Sequence, residues 1–207
     1  MAKAKDPSAW LQKACTRDKN TPRGEFLTPQ GNMASDSYRM HVANDLPPAP
    51  AGTLPRGWVD VLEEFRRMPL TTRVSALALA QAARAALALG AEDRRRKYAP
   101  VTVLRLAMNG RLVCSAKHPD TGEVCATFGD GDEWRGAWHT TKGRTWQDVE
   151  VIQYFHEGPD QEVGVNPKFL LDALAGMAPV VSAAADKYRL YLSDGIHEAC
   201  IMAMHTG

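Results

Sequence analysis

The last third of the chain, Val163 to Met204, constrains the fold most, because it strings several local signals together in a fixed order. Val163 and Val165 alternate with Gly164, as in a short strand with one apolar face. Asn166 has the side chain of a helix N-cap, and Pro167 suits the first helical position, where an amide hydrogen would lack a partner. Phe169, Leu170, Leu171, Leu174 and Met177 then recur at helical spacing, and Gly176 and Pro179 end the helix. After a small-residue spacer, Tyr188, Leu190 and Leu192 alternate with Arg189 and Tyr191, as in a half-buried strand. Ser193-Asp194-Gly195 is a turn. Ile196 to Met204 is a last strand, with Cys200, Met202 and Met204 on one face and Ile201 on the other.

This order of parts resembles the last repeat of the bacterial DNA polymerase III beta sliding clamp family. That family ends in a strand, an Asn-led helix of pattern N-x-x-(Y/F)-L-x-D-(A/V)-L, a strand, a turn and a V-M-P-M strand. The matching residues are Asn166, Phe169, Leu170, Asp172, Ala173 and Leu174, then Ile201, Met202, Ala203 and Met204, with Ala203 in the proline's place. An earlier segment, Met33 to Val42, resembles the family's A-T-D-G-(H/Y)-R-L motif. It matches at Ala34, Ser35, Asp36, Ser37, Tyr38, Arg39 and Met40, where Ser, Ser and Met replace Thr, Gly and Leu. Between them, Asn109, Gly110, Leu112, Pro119, Gly122 and Glu123 fit the family's run of strand, N-G hairpin, strand and P-x-x-G-E turn. The resemblance covers about 70–205 well and 9–43 weakly.

The rest of the chain fills in a plan. A helix capped by Asp6 or Ser8 runs through Cys15, with Ala9, Trp10, Leu11 and Ala14 turned inward. Gly24 to Leu27 is a strand, Pro29 to Asn32 a turn, and Met33 to Val42 a second pairing segment. Asp45 to Pro55 is a Pro-rich linker. An amphipathic helix over 57–68 carries Val59, Leu62 and Phe65, and Pro69 stops it. A strand at 71–75, an Ala/Leu helix at 77–89 and strands at 101–107, 112–116, 123–128 and 149–155 follow. The Gly- and Trp-rich run 129–148 fits no assignment. The expected class is α+β: a DNA clamp-like fold of repeated strand-helix-strand halves, with helices on one face of antiparallel sheets. The expected division is a reduced N-terminal clamp-like half-domain with its linker over 1–68 and a full clamp-like domain over 69–207.

Composition sets outer limits. The chain has 207 residues, enough for one or two domains with a real core. A net charge of +1 gives no overall field for a polyanion, so any such binding must come from local patches. Cys15, Cys114, Cys125 and Cys200 are scattered without a CxxC pair, and the N-terminus lacks an apolar signal segment, so free thiols and a cytoplasmic location are expected. No apolar run is long enough to span a membrane.

Chemistry-bearing patterns are sparse. Cys114, His118 and Cys125 have a metal-like look, but the two thiols sit on strands flanking a turn, where small apolar residues commonly pack, and no fourth ligand is well spaced. Asp130, Asp132 and Glu133 offer either a magnesium site or a solvated loop. No GxSxG, Walker or HExxH motif occurs, so a non-enzyme with no metal and no cofactor is expected.

The resemblance implies a sliding clamp, a polymerase processivity factor that encircles duplex DNA without reading its sequence. DNA-facing roles then fall to Lys13, Arg17, Lys19, Arg23, Arg66, Arg67, Arg73, Arg84 and Lys168, as basic residues on or beside helices that meet phosphates. It also implies a groove for hydrophobic peptides of DNA polymerase and clamp loader, carried here by Ser35, Ser37, Tyr38, Arg39, Met40, Met202 and Met204. The chain is short for the family, which suggests a phage or mobile-element version and a ring of three or four copies rather than two. The alternative is a monomeric clamp-derived regulator or decoy that binds replication proteins.

Overall fold

The structure, a computed structural model, describes residues 6–15, 26–69, 72–89, 104–108, 112–117, 124–129, 134–139 and 162–204. Its architecture is α+β, with antiparallel sheets and packed helices. The larger sheet contains β1 (Met33–Ser35), β2 (Arg39–Ala43), β3 (Thr72–Ser75), β9 (Val180–Asp186), β10 (Arg189–Ser193) and β11 (His197–Met202), in the order β1-β2-β11-β10-β9-β3. It therefore joins strands from both ends of the chain. The smaller sheet contains β4 (Leu104–Met108), β5 (Leu112–Lys117), β6 (Val124–Gly129), β7 (Trp134–His139) and β8 (Glu162–Val165), in the order β7-β6-β5-β4-β8.

Among the described residues four helices pack on these sheets. Helix α1 (Pro7–Gln12) is capped by Asp6, whose carboxylate accepts from the Ser8 amide at 3.0 Å. It is shorter than expected, yet Trp10, Leu11, Ala14 and Cys15 are all buried, while Ala9 is exposed. Helix α2 (Trp58–Arg66) starts from Gly57, whose φ of 89° suits a residue without a Cβ. Its buried face is Trp58, Leu62 and Phe65; Val59 points to solvent, one position off that stripe. Helix α3 (Ala76–Leu89) packs against the smaller sheet, β3 and helix α4 (Pro167–Leu174). In α4 the Asn166 side chain accepts from the Lys168 amide at 2.9 Å and Pro167 opens the first turn, as the sequence indicates.

The period-two alternation of the larger sheet divides the core in two. Leu190, Leu192, Ile201 and Val181 face a cluster that also holds Trp10, Leu11, Leu79, Leu170 and Leu174 from α1, α3 and α4. Tyr191, Cys200, Ala184, Met40 and Val42 face the other way, onto Trp58, Leu62 and Phe65 of α2. Helices α1, α3 and α4 thus line one side of this sheet and α2 covers the other.

Four sequence expectations change. The small-residue spacer is a strand, β9, paired to β10 from Ser182↔Ser193 to Asp186↔Arg189 and to β3 on its far edge. Alanine has low strand propensity, but Ala183, Ala184 and Ala185 are all buried between neighbours, and tertiary packing overrides the preference. The segment Met33 to Val42 is a hairpin in itself, with Met33 opposite Val42 and Ser35 opposite Met40. Phe26 and Leu27 are not strand; the near partner of Met33 is Gln30, across a tight turn at Gly31. Gly31 has φ 60°, and a Cβ there would collide with the Ala49 nitrogen, so the Pro-rich segment crosses directly over this turn. The unassigned run contributes β7, which pairs with β6 from Val124↔His139 to Gly129↔Trp134 and extends the smaller sheet. The expected strand at 149–155 and the turns at Asn109-Gly110 and 118–122 lie outside the described residues.

Candidate peptide groove and helix face

The tip of the β1–β2 hairpin is built by short polar side chains. Asp36 Oδ1 accepts from the amides of Tyr38 and Arg39, both at 3.1 Å. Ser35 Oγ donates to the Arg39 carbonyl at 2.8 Å and accepts from the Ser37 amide at 3.2 Å. These bonds hold Ser37 at φ 75°, a left-handed conformation that a non-glycine residue adopts at some cost. Tyr38 projects outward, 66% exposed. Its carbonyl accepts from the Met202 amide at 2.9 Å, fastening the tip to the end of β11.

Below the tip, on the α2 side of the sheet, Ser35, Ser37, Arg39 and Met40 converge with Cys200 and Met202 of β11 and with Val61 and Phe65 of α2. They enclose a shallow cavity of about 40 Å³. Met202 at 40% exposure and Val61 at 41% form its apolar rim. Five of the seven residues expected in a groove are thus brought together. Tyr38 stands beside the cavity without lining it. Met204 lies past the end of β11, where its amide donates to the Gly164 carbonyl at 2.8 Å. Sequence reasoning missed Val61 and Phe65. The helical spacing of Phe65 with Leu62 signals a buried face, but nothing in it says that the face ends at this cavity.

Arg39 lines the groove while its charged end leaves it. Nε sits 3.1 Å from Asp36 Oδ2 and Nη1 sits 2.7 Å from Asp172 Oδ2 on α4. The guanidinium lies over the Phe169 ring, 4.3 Å from its centroid. At 8% exposure it is committed to these partners rather than to the groove.

The basic residues expected to face DNA divide between the two sides. Lys13, at the C-cap of α1, and Arg84 and Lys168, on α3 and α4, are exposed; these helices share one side of the larger sheet. Arg73 is exposed on the edge strand β3. Arg66 and the adjoining Arg67 belong to α2 and its C-cap, on the opposite side. Arg17, Lys19 and Arg23 lie outside the described residues.

Arg66 has a partner that no local pattern reveals. Its Nε and Nη2 donate to the Glu198 carboxylate at 2.9 and 2.6 Å. Asn44 Nδ2 donates to the same carboxylate at 2.8 Å, and the Tyr191 hydroxyl donates to it as well. Burial alone would raise the Glu198 carboxyl, but the bonds from Arg66, Tyr191 and Asn44 outweigh it and hold it down at about 2. The Arg66 guanidinium is pushed up, chiefly by its hydrogen bond to Glu198. Burial, then the bond to Glu198, pushes the Tyr191 phenol up.

Burial pushes the Cys15 thiol up to about 11 and raises Cys200 as well, the reverse of an activated thiolate. Among the described residues there is no group of three or more His, Cys, Asp or Glu placed to hold a metal ion. Cys114 and Cys125 lie on paired strands, Cys125 opposite Ala116 and Cys114 opposite Thr127. His118 and the acidic run Asp130 to Glu133 lie outside the described residues. Among the described residues no helix is long and apolar enough to cross a membrane.

No family model and no curated protein matches the sequence. Solved structures do match. The chain is similar to the DNA polymerase III beta chain of Streptococcus pneumoniae, with a TM-score of 0.55 and 13% identity over 96% of this chain and 62% of that one. It is equally similar to the DNA polymerase sliding clamp of Bacillus subtilis, with a TM-score of 0.55 and 12% identity over 97% of this chain and 63% of that one. The fold is clamp-like. At such identities the likeness shows the fold alone, and the chain spans less than two thirds of the length of either clamp chain.

Proposed function

We propose that this chain works as a shortened sliding clamp, a non-catalytic processivity factor that surrounds duplex DNA and tethers a replication enzyme. The observation that carries this reading is the cavity between the hairpin, β11 and α2, where Ser35, Ser37, Met40 and Met202 meet Val61 and Phe65 in a clamp-like fold. A shallow apolar cavity with a flexible methionine at its rim suits a short hydrophobic peptide, such as a tail of DNA polymerase or clamp loader. Lys13, Arg84 and Lys168, on the helices of the other side, suit phosphates approached without base contacts. A homo-oligomeric ring of three or four copies would complete the enclosure. In this reading residues 1–68 form a reduced clamp-like half and 69–207 a full clamp-like domain.

The double variant Met40→Ala/Met202→Ala tests the groove. Its affinity for a polymerase tail peptide is expected to fall about tenfold or more with the mass in solution unchanged; unaltered affinity rejects the groove. Retention on circular duplex DNA, lost when the circle is cut, tests encirclement. A strict monomer at micromolar concentration would remove the ring and favour a clamp-derived regulator that binds replication proteins.

A further inference from the structure

Arg39 belongs to both sides of the molecule. It lines the hairpin side of the groove, and its guanidinium ends on α4, 2.7 Å from Asp172 Oδ2. Asp172 Oδ1 is in turn 3.9 Å from Lys13 Nζ on the C-cap of α1. At the other end, Asp36 holds Arg39 Nε on Oδ2 and the amides of Tyr38 and Arg39 on Oδ1. The links run without a break from the Lys13 ammonium through Asp172, Arg39 and Asp36 to the amides of the tip.

We propose that Asp172 is a positioning residue: through Arg39 it holds the Asp36–Tyr38 tip from the helix side, so that the helix face and the groove respond to one another. The consequence for peptide binding rests on the groove reading; the control of the tip does not. The tip contains a non-glycine residue at φ 75°, so it needs its acceptor Asp36 fixed in place. Arg39 fixes Asp36, and Arg39 is nearly buried, so its direction is set by its second carboxylate. Lys13, 43% exposed, stands by the other oxygen of that carboxylate, 3.9 Å from Oδ1, and so shares its charge with Arg39. A polyanion on the helix face that draws Lys13 away leaves the full charge of Asp172 to Arg39 and tightens the tip. By linkage, a ligand that needs the tip ordered then favours the polyanion equally.

Amide hydrogen exchange on the full chain tests this without any partner. Asp172→Asn keeps the shape but removes the charge, and exchange at the Tyr38 and Arg39 amides is expected to rise about tenfold, with Leu190 to Leu192 unchanged. Asp172→Glu should restore much of the protection. Lys13→Gln should slow the same two amides by about twofold, the opposite sign. Unchanged exchange at the tip in Asp172→Asn overturns the proposal, as does a uniform rise through the whole sheet, which would mark a general loss of stability. A wild-type protein that binds no polymerase peptide would end the groove reading, while these exchange measurements would still decide the role of Asp172.

Discussion

Arg66 Nη2 lies 2.6 Å from Glu198 Oε1, and this pair fastens α2 to β11 on the side of the sheet opposite α1, α3 and α4. The carboxylate carries four donor groups, from Arg66 twice, Asn44 and Tyr191. Glu198→Gln is expected to cost about 1–3 kcal/mol in urea unfolding at pH 7. Arg66 is about a third exposed and regains water in the variant, which keeps the loss below that of a fully buried pair. The Glu198 carboxyl is held below its ordinary range, at about 2. Its stabilising contribution is therefore complete above the ordinary value near 4.5 and fades as pH falls toward 2. The gap between wild type and Glu198→Gln should narrow over that window; a constant gap would refute the charge-based account.

The same pair separates two classes of basic residue. On the proposed clamp reading, Arg84→Gln and Lys168→Gln should each lower the slope of log affinity for duplex DNA against log salt by about one. Arg66→Gln should leave that slope alone and lower stability instead. Equal slopes for all three variants would return Arg66 to the DNA-facing group.

Gly176 sits against Trp10. A Cβ at Gly176 would fall 2.5 Å from Cδ1 and Cγ of the indole. The ring cannot move aside cheaply: its Nε1 donates to the Ala173 carbonyl at 2.8 Å, and it stacks on His41 with centroids 4.5 Å apart. Gly176→Ala should cost about 1–3 kcal/mol through overpacking, read as a fall in the midpoint of thermal unfolding. An unshifted midpoint would mean that α1 is held less firmly than this geometry requires.

His41 adds a dependence on acidity. It is fully buried, Nδ1 is 3.2 Å from the Trp10 carbonyl and Nε2 has no hydrogen-bond partner among the described residues. Burial lowers its pKa to about 3, against the weaker raising effect of that carbonyl. The folded state thus resists a proton that the unfolded chain accepts near 6.5, so stability is complete above 6.5 and falls as pH drops toward 3. The slope is about 1.4 kcal/mol per pH unit below 6.5. His41→Gln, which keeps a donor for the carbonyl, should be less stable at pH 7 but flatter between pH 6.5 and 5 in urea titrations. An unaltered slope would assign the acid sensitivity elsewhere.

Much of this architecture is legible in the chain because its signals are local. Asn166-Pro167, the leucine spacing of α4 and the alternation of β10 and β11 each state their own geometry within a few residues. The misses have physical reasons. β9 reads as a spacer because alanine names no strand until its neighbours bury it. The hairpin tip reads as continuous strand because Ser37, rather than glycine, takes the left-handed turn. The cavity beside the hairpin draws Ser35, Ser37, Arg39, Met40 and Met202 from segments that stand out in the sequence, whereas its α2 wall depends on a pairing 132 residues apart, between Arg66 and Glu198.

The alanines of β9 and α3 bear on how such a chain can diverge. Ala82, Ala83, Ala86 and Ala183 are without exposed surface, in one cluster with Leu170 and Ile201. A methyl group leaves little room for the layers to draw closer, and every larger side chain pushes them apart. Substitution is therefore tolerated unevenly. Exchanges at Val59, Tyr188 or Ile196, which meet water, leave the interior untouched. One added methylene at Ala82 or Ala183 shifts the helix side against the groove side. Drift among descendants of this sequence should accumulate around the rim, while these small residues stay fixed as a shim that sets the thickness of the wall.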